Sequence, residues 1–184
     1  MREIADRERI EAFLAALARS ATADATIYLV GGTSAVLVGW RDATIDVDLL
    51  IRPESDALLR AIPELKERLN INVELASPDQ FIPVPAGWED RSPLVGRIDR
   101  LTIRHYDFVA QALSKIERGH GRDLADVQAM VDRGLITARQ VREQFSRMEP
   151  DLYRYPAIDP GSFRQSVDAL FPPEFGGPSE TRAV

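Results

Sequence analysis

The 184-residue sequence contains no cysteine and only two histidines, His105 and His120. The first absence excludes disulfides, thiolate metal sites and thiol nucleophiles, and it suits a reducing compartment. The second leaves too few imidazoles, too far apart in context, for a zinc site. No apolar run approaches the roughly 20 residues that cross a bilayer. The first twenty residues, MREIADRERIEAFLAALARS, are charged from the start and contain no apolar segment before a small-residue cleavage site, so no signal peptide is expected. The expectation is a soluble, cytoplasmic protein without a membrane partner. Basic residues are also scarce: 23 Lys and Arg against 29 Asp and Glu give a net charge of −6. That balance argues against nucleic-acid binding through bulk basicity. It leaves a local basic face in the stretch Arg97, Arg100, Arg104, Lys115, Arg118 and Arg122.

Hydrophobic spacing supplies the elements. Ile4, Ile10, Phe13, Leu14 and Leu17 recur at helical intervals over residues 4–20, which predicts an amphipathic helix. Thr26 to Val30 is β-rich and ends at Gly31-Gly32, after which Ser34 to Gly39 reads as helical. Residues 45–51, Ile-Asp-Val-Asp-Leu-Leu-Ile, read as a strand closed by Pro53. Residues 54–69 read as a helix broken or restarted at Pro63, since proline suits only a first turn. Residues 71–75 give a further strand, and a proline-rich polar loop follows. Residues 94–98 and 101–104 fit a hairpin around Asp99-Arg100. Helices are then expected over 107–117, 122–133 and 137–148, with Thr137 as an N-cap, and a short one near 162–170. The predicted class is α/β (α+β). A core with a small mixed sheet spans residues 1–105, a helical half 106–148 completes a cleft, and an extended tail 149–184 ends in a loose final dozen residues.

The chemistry concentrates between Gly31 and Asp48. A strand has a period of two, so Asp46 and Asp48 share one face while Ile45 and Val47 share the other. Two carboxylates that close repel each other unless one takes up a proton or a cation lies between them. Mg2+ suits such a pair, because it binds one or two protein carboxylates and completes its shell with water and phosphate oxygens. Taken alone, an Asp-x-Asp pair is also what a solvated acidic face looks like. The preceding glycines let backbone approach a ligand closely, and the following helix N-terminus offers N–H groups to an anion, with the Thr33 and Ser34 hydroxyls beside them. Glu74 falls on a strand expected to lie next to Asp46 and Asp48, where a third acid either holds a second metal or serves as general base. Trp40 and Trp88 flank this region, for base stacking or for packing.

The pattern Gly31-Gly32-Thr-Ser, a helix and loop, then Thr44-Ile-Asp46-Val-Asp48-Leu resembles the defining motif of the polymerase-β-like nucleotidyltransferases. The stretches Asn72-Val-Glu-Leu-Ala-Ser-Pro-Asp79, Gly87-Trp-Glu-Asp-Arg91 and Ala112-Leu-Ser-Lys115 through Arg122-Asp-Leu-Ala-Asp-Val127 look like the DUF6036 branch. That branch is related to small prokaryotic nucleotidyltransferases found as toxin or antitoxin components. The resemblance spans residues 8–148 and leaves the tail outside.

It implies that Gly31, Gly32, Thr33 and Ser34 hold a nucleoside triphosphate, and that Asp46, Asp48 and Glu74 are the metal-binding and catalytic acids with Mg2+ or Mn2+. Lys115 and Asp126 would approach the nucleotide from later helices. The implied activity transfers a nucleoside monophosphate to an acceptor hydroxyl on RNA or protein. The alternative is a catalytically weak or inactive fold of this type that acts as an antitoxin by binding a cognate toxin. Glu74 stands where aspartate is the commoner third acid, which places metal binding on firmer ground than turnover.

Overall fold

Burial alternates along positions 46–52 because their strand has one face in the core. This is seen in a computed structural model that describes residues 4–173. Strand β1 (Ala5–Asp6) leads into α1 (Arg7–Ala18), whose N-cap Asp6 accepts from the Arg9 N–H. Strand β2 (Ala25–Leu29), helix α2 (Gly31–Val38), the short β3 (Ala43–Thr44) and β4 (Asp46–Arg52) follow. Helix α3 (Asp56–Arg68) and β5 (Asn72–Leu75) come next, then α4 (Trp88–Arg91) and the hairpin β6 (Leu94–Ile98) and β7 (Leu101–His105). The chain then turns helical, with α5 (Phe108–Arg118), α6 (Gly121–Asp132), α7 (Ala138–Met148) and α8 (Pro160–Leu170).

The main sheet has the order β5-β4-β2-β7-β6. It is mixed: β2 runs antiparallel to β4 and parallel to β7, while β5 runs parallel to β4. β1 and β3 form a separate two-stranded ribbon. Ile27, Leu29, Val47, Leu49, Ile51, Val73 and Ile103 fill one face of the main sheet and pack in one cluster with the apolar stripes of α1 and α3. A second apolar cluster unites Ile82 with the inner faces of α5 to α8. Tyr28, Tyr106 and Ala110, with Trp88 packed against them, form a third small cluster. No helix among the described residues is long and apolar enough to cross a membrane.

Several expectations shift. Ile4 is 63% exposed rather than a core residue, because pairing with β3 pulls this end into a strand and Asp6 starts the helix later. Helix α2 begins at Gly31 itself, so the glycine pair is the helix's first turn and not a loop before it. Helix α3 runs unbroken through Pro63, since Leu58 and Ile62 before it and Leu65 after it are all buried in the same core. Pro63 is exposed, where the carbonyl it leaves without a donor can meet water. Within the expected extended tail the short helix near 162–170 is present as α8, and a 3-10 turn at 149–154 precedes it; both are held down by buried Leu152, Ile158, Phe163, Val167 and Phe171. From residue 174 the tail expected to be loose lies outside the described residues.

Candidate active site

The acidic wall comes from strand register. β4 and β5 pair so that Asp46 lies beside Asn72 and Asp48 beside Glu74, which puts all four side chains on one sheet face. The Asn72 amide donates to Asp46 Oδ1 at 2.5 Å and to Glu74 Oε1 at 3.3 Å, a neutral bridge between two acids. Asp48 is strongly perturbed. Burial, then the charges of Asp46 and Glu74, push its carboxyl up to about 7 against the pull of Lys115 and Arg118. No group of three or more Asp, Glu or His side chains among the described residues is gathered closely enough to hold a metal ion. The donor set nevertheless fits Mg2+ or Mn2+. Both are hard cations that take one or two carboxylates and fill the remaining positions from water and phosphate, and a cation beside Asp48 removes the reason for its raised proton affinity.

The glycine turn is fitted to that wall. Gly31 adopts φ +55°, and a Cβ there would lie 3.0 Å from Asp48 Oδ2. Its N–H donates to Gln111 Oε1 at 2.8 Å, and the Gln111 amide donates in turn to the Tyr106 carbonyl at 2.8 Å. A Cβ on Gly32 would collide with the Thr44 hydroxyl and sit 2.8 Å from its Cβ. Gly32→Ala is therefore expected to destabilise the protein by roughly 1–3 kcal/mol, the usual range for overpacking a closed site. Urea unfolding of the variant beside wild type measures this, and an unchanged midpoint would show that the turn is looser than described.

Helices α5 and α6 form the opposite wall. Lys115, 4% exposed, donates to Asp126 Oδ2 at 2.6 Å and to Asp123 Oδ1 at 3.1 Å. Arg41 binds the same Asp126 carboxylate through Nε at 2.9 Å and Nη2 at 2.5 Å, and the Trp40 indole N–H adds a third donor group at 3.0 Å. Burial pushes the Asp126 carboxyl up, but Lys115, Trp40 and Arg41 outweigh it and hold it below the usual carboxylate range. Arg118 pairs with Asp123 at 2.9 Å. Between the walls lies a cleft of about 310 Å³, lined by Gly31, Gly32 and the three acids on one side and by Arg41, Lys115, Arg118, Arg122 and one acid, Asp123, on the other. Small-molecule sites run from roughly 300 to 1,000 Å³.

Gly31, Gly32, Asp46, Asp48, Glu74 and Lys115 thus share one cleft, while Thr33, Ser34 and Asp126 stand behind its surface. The Thr33 hydroxyl accepts from the Asp48 backbone N–H at 2.8 Å and ties the turn to β4. The Ser34 hydroxyl, fully buried, donates to the Leu29 carbonyl at 2.9 Å, which leaves the His105 Nδ1–H to donate to it at 3.0 Å. His105 is kept neutral by burial, which pulls it down to about 4. Asp126 anchors Lys115, Arg41 and Trp40 instead of facing the cleft. Trp40 is committed to it, and Trp88 stacks on Tyr106 with centroids 4.2 Å apart.

The basic stretch divides: Lys115, Arg118 and Arg122 reach the cleft, whereas Arg97 and Arg100 pair with Asp24. Asp123 bonds to Lys115 and Arg118. Sequence reasoning missed Arg41, Gln111 and Phe81. Gln111 had a signal, since Gln111, Ser114, Lys115 and Arg118 form a polar stripe at helical spacing along α5. Arg41, in a loop, had none.

A mixed sheet with helices flanking it, and a cleft between its acidic face and a cationic helix pair, defines an α/β protein with a polar, charge-divided site. The model of the family described as nucleotidyltransferases of unknown function (DUF6036) matches residues 8–150, and the chain belongs to that family. No curated protein and no solved structure matches the chain.

Proposed function

We propose that the protein is a Mg2+- or Mn2+-dependent nucleotidyltransferase that moves a nucleoside monophosphate from a triphosphate to an acceptor hydroxyl on RNA or protein, possessing the chemistry expected of a toxin–antitoxin component. The observation that supports it is the division of charge across one cleft. Asp46, Asp48 and Glu74 line the sheet side, and four cations, Arg41, Lys115, Arg118 and Arg122, with the single acid Asp123 line the other. Asp46 and Asp48 would hold the metal, which when bound neutralises charge on the reacting phosphate.

The chain's own groups do the rest. Lys115 and Arg41, oriented by Asp126, offset the negative charge of the triphosphate in a partly water-excluded site. Gln111 fixes Gly31, so the turn presents its backbone without a side chain against Asp48. Glu74, exposed at the edge of the same face, accepts the proton of the attacking hydroxyl as its oxygen bonds to the α-phosphorus and the bond to the pyrophosphate oxygen breaks. Incubation with each α-labelled triphosphate, Mg2+ or Mn2+, and mixed RNA and protein acceptors tests this reading. Label is expected on one acceptor class; none in any combination, or undiminished transfer by the Asp46→Ala, Asp48→Ala double variant, would overturn it.

One observation favours a second reading, a non-catalytic member that neutralises a cognate toxin by contact. The Asn72 amide occupies oxygens of both Asp46 and Glu74 that turnover requires. Inhibition of a co-purified partner that survives loss of Asp46 and Asp48 supports this reading over catalysis.

A further inference from the structure

The two tryptophans that flank the cleft in sequence are withdrawn from it, one onto Asp126 and one onto Tyr106. Among the described residues lining the cleft, the single aromatic ring belongs to Phe81, and it is 46% exposed. Its backbone is fixed although its side chain is only about half covered. Phe81 closes the 3-10 turn at 78–80 and donates its N–H to the Pro78 carbonyl at 2.9 Å, and Ile82 donates to the same carbonyl at 3.0 Å. Within the same turn Pro78 is buried, and the next residue, Ile82, is fully buried in the helical core. The Tyr155 hydroxyl donates to the Asp79 carbonyl at 2.8 Å and ties the turn to the C-terminal helices. A fixed turn that holds a large apolar ring at the edge of a cleft lined by many charged groups leaves the ring's exposed part in water until something flat covers it. The turn's polar side chains offer little to read a base edge, because the Ser77 hydroxyl is already bonded to Asp79.

We infer that Phe81 is the platform on which the nucleobase of the bound triphosphate stacks, selecting nucleotides by ring area and not by base-edge hydrogen bonds. The inference rests on the proposed nucleotidyltransferase reading and adds to it the residue that holds the base. Phosphates lie toward Gly32, Arg41 and Lys115, the sugar crosses the cleft, and the base covers Phe81. Stacking is tolerant of base identity because every base has a π-face. Purine triphosphates therefore bind more tightly than pyrimidine ones, with ATP and GTP alike.

Calorimetric titration of the full chain with ATP, GTP, CTP, UTP and inorganic tripolyphosphate, each with Mg2+, tests this. Wild type, Phe81→Ala, Phe81→Leu and the Asp46→Asn, Asp48→Asn double variant are compared, with thermal melts to confirm folding. Phe81→Ala is expected to weaken ATP and GTP binding by roughly 10-fold or more, with tripolyphosphate unchanged within about twofold. Phe81→Leu, which keeps apolar bulk without a ring, is expected to fall between. ATP binding that depends on Asp46 and Asp48 but is indifferent to Phe81→Ala overturns the platform alone. Equal losses for ATP and tripolyphosphate overturn it too, because the side chain would then shape the phosphate site. Absence of binding by any triphosphate to wild type overturns the nucleotidyltransferase reading, and the platform with it.

Discussion

Asp48→Asn is expected to abolish nucleotidyl transfer while stabilising the metal-free protein at pH 8. Asp48 is half-buried beside two other acids, and its carboxyl is pushed from 3.8 up to about 7. A carboxyl whose folded-state value lies above its unfolded one favours the fold fully below pH 3.8 and loses that contribution as pH rises through about 7. At pH 8 the ionised Asp48 therefore works against folding. About three pK units correspond to a ceiling near 4 kcal/mol, and partial solvent access reduces this to roughly 1–3 kcal/mol. Asparagine has the same shape and no charge, so it relieves that penalty at pH 8 and gives little gain at pH 4. Activity moves the other way, by at least about 10²-fold, the scale for removing one preorganised electrostatic group. Urea unfolding at pH 4, 6 and 8 reads the first effect and label transfer the second. A variant less stable than wild type at pH 8 would assign Asp48 to the architecture instead of to ligand binding.

Asp126→Ala is expected to lower stability by about 3–5 kcal/mol, the range for removing one member of a buried ion-pair network. The Asp126 carboxylate, 3% exposed, receives hydrogen bonds from Lys115, Arg41 and Trp40. Its loss leaves the half-buried Arg41 guanidinium without a counter-charge, whereas Lys115 keeps Asp123. At roughly 2–4 °C per kcal/mol for a chain of this size, the midpoint of thermal unfolding should fall by about 10 °C. Asp126→Asn keeps an acceptor for Trp40 but no charge, and should fall between. A change below about 1 kcal/mol, typical of exposed pairs, would show that the network is solvated and does not hold Lys115 in place.

Much of this was legible before any coordinates. The alternation in Ile45 to Ile51 placed Asp46 and Asp48 on one strand face, and the same alternation in Ile71 to Leu75 placed Asn72 and Glu74 on the face that register sets beside them. These patterns are local and have a period of two, so one sequence is enough to read them. The hairpin at 94–105 and helices α5 to α7 were legible from equally local signals, turn residues for the hairpin and helical spacing for the helices.

What sequence could not supply was which hydrogen-bonding groups meet across the fold. Ser34 and Thr33 look like phosphate ligands after a glycine pair, yet both hydroxyls turn inward to Leu29, His105 and the Asp48 backbone. Asp126 and Arg41 lie 85 residues apart and share no local pattern, so their bidentate pair appears only in three dimensions. Pro63 misled because propensity alone stops a helix there, whereas buried leucines and an isoleucine on both sides carry α3 through it.

The most direct test of the central claim, that Asp46 and Asp48 form a metal-and-triphosphate site facing Lys115, is calorimetric titration with a non-hydrolysable nucleoside triphosphate in the presence and absence of Mg2+. The account predicts saturable one-to-one binding that requires Mg2+, disappears in the Asp46→Asn, Asp48→Asn double variant and weakens in Lys115→Met. Binding that is indifferent to Mg2+ and to both aspartates, or no binding by wild type, would contradict it.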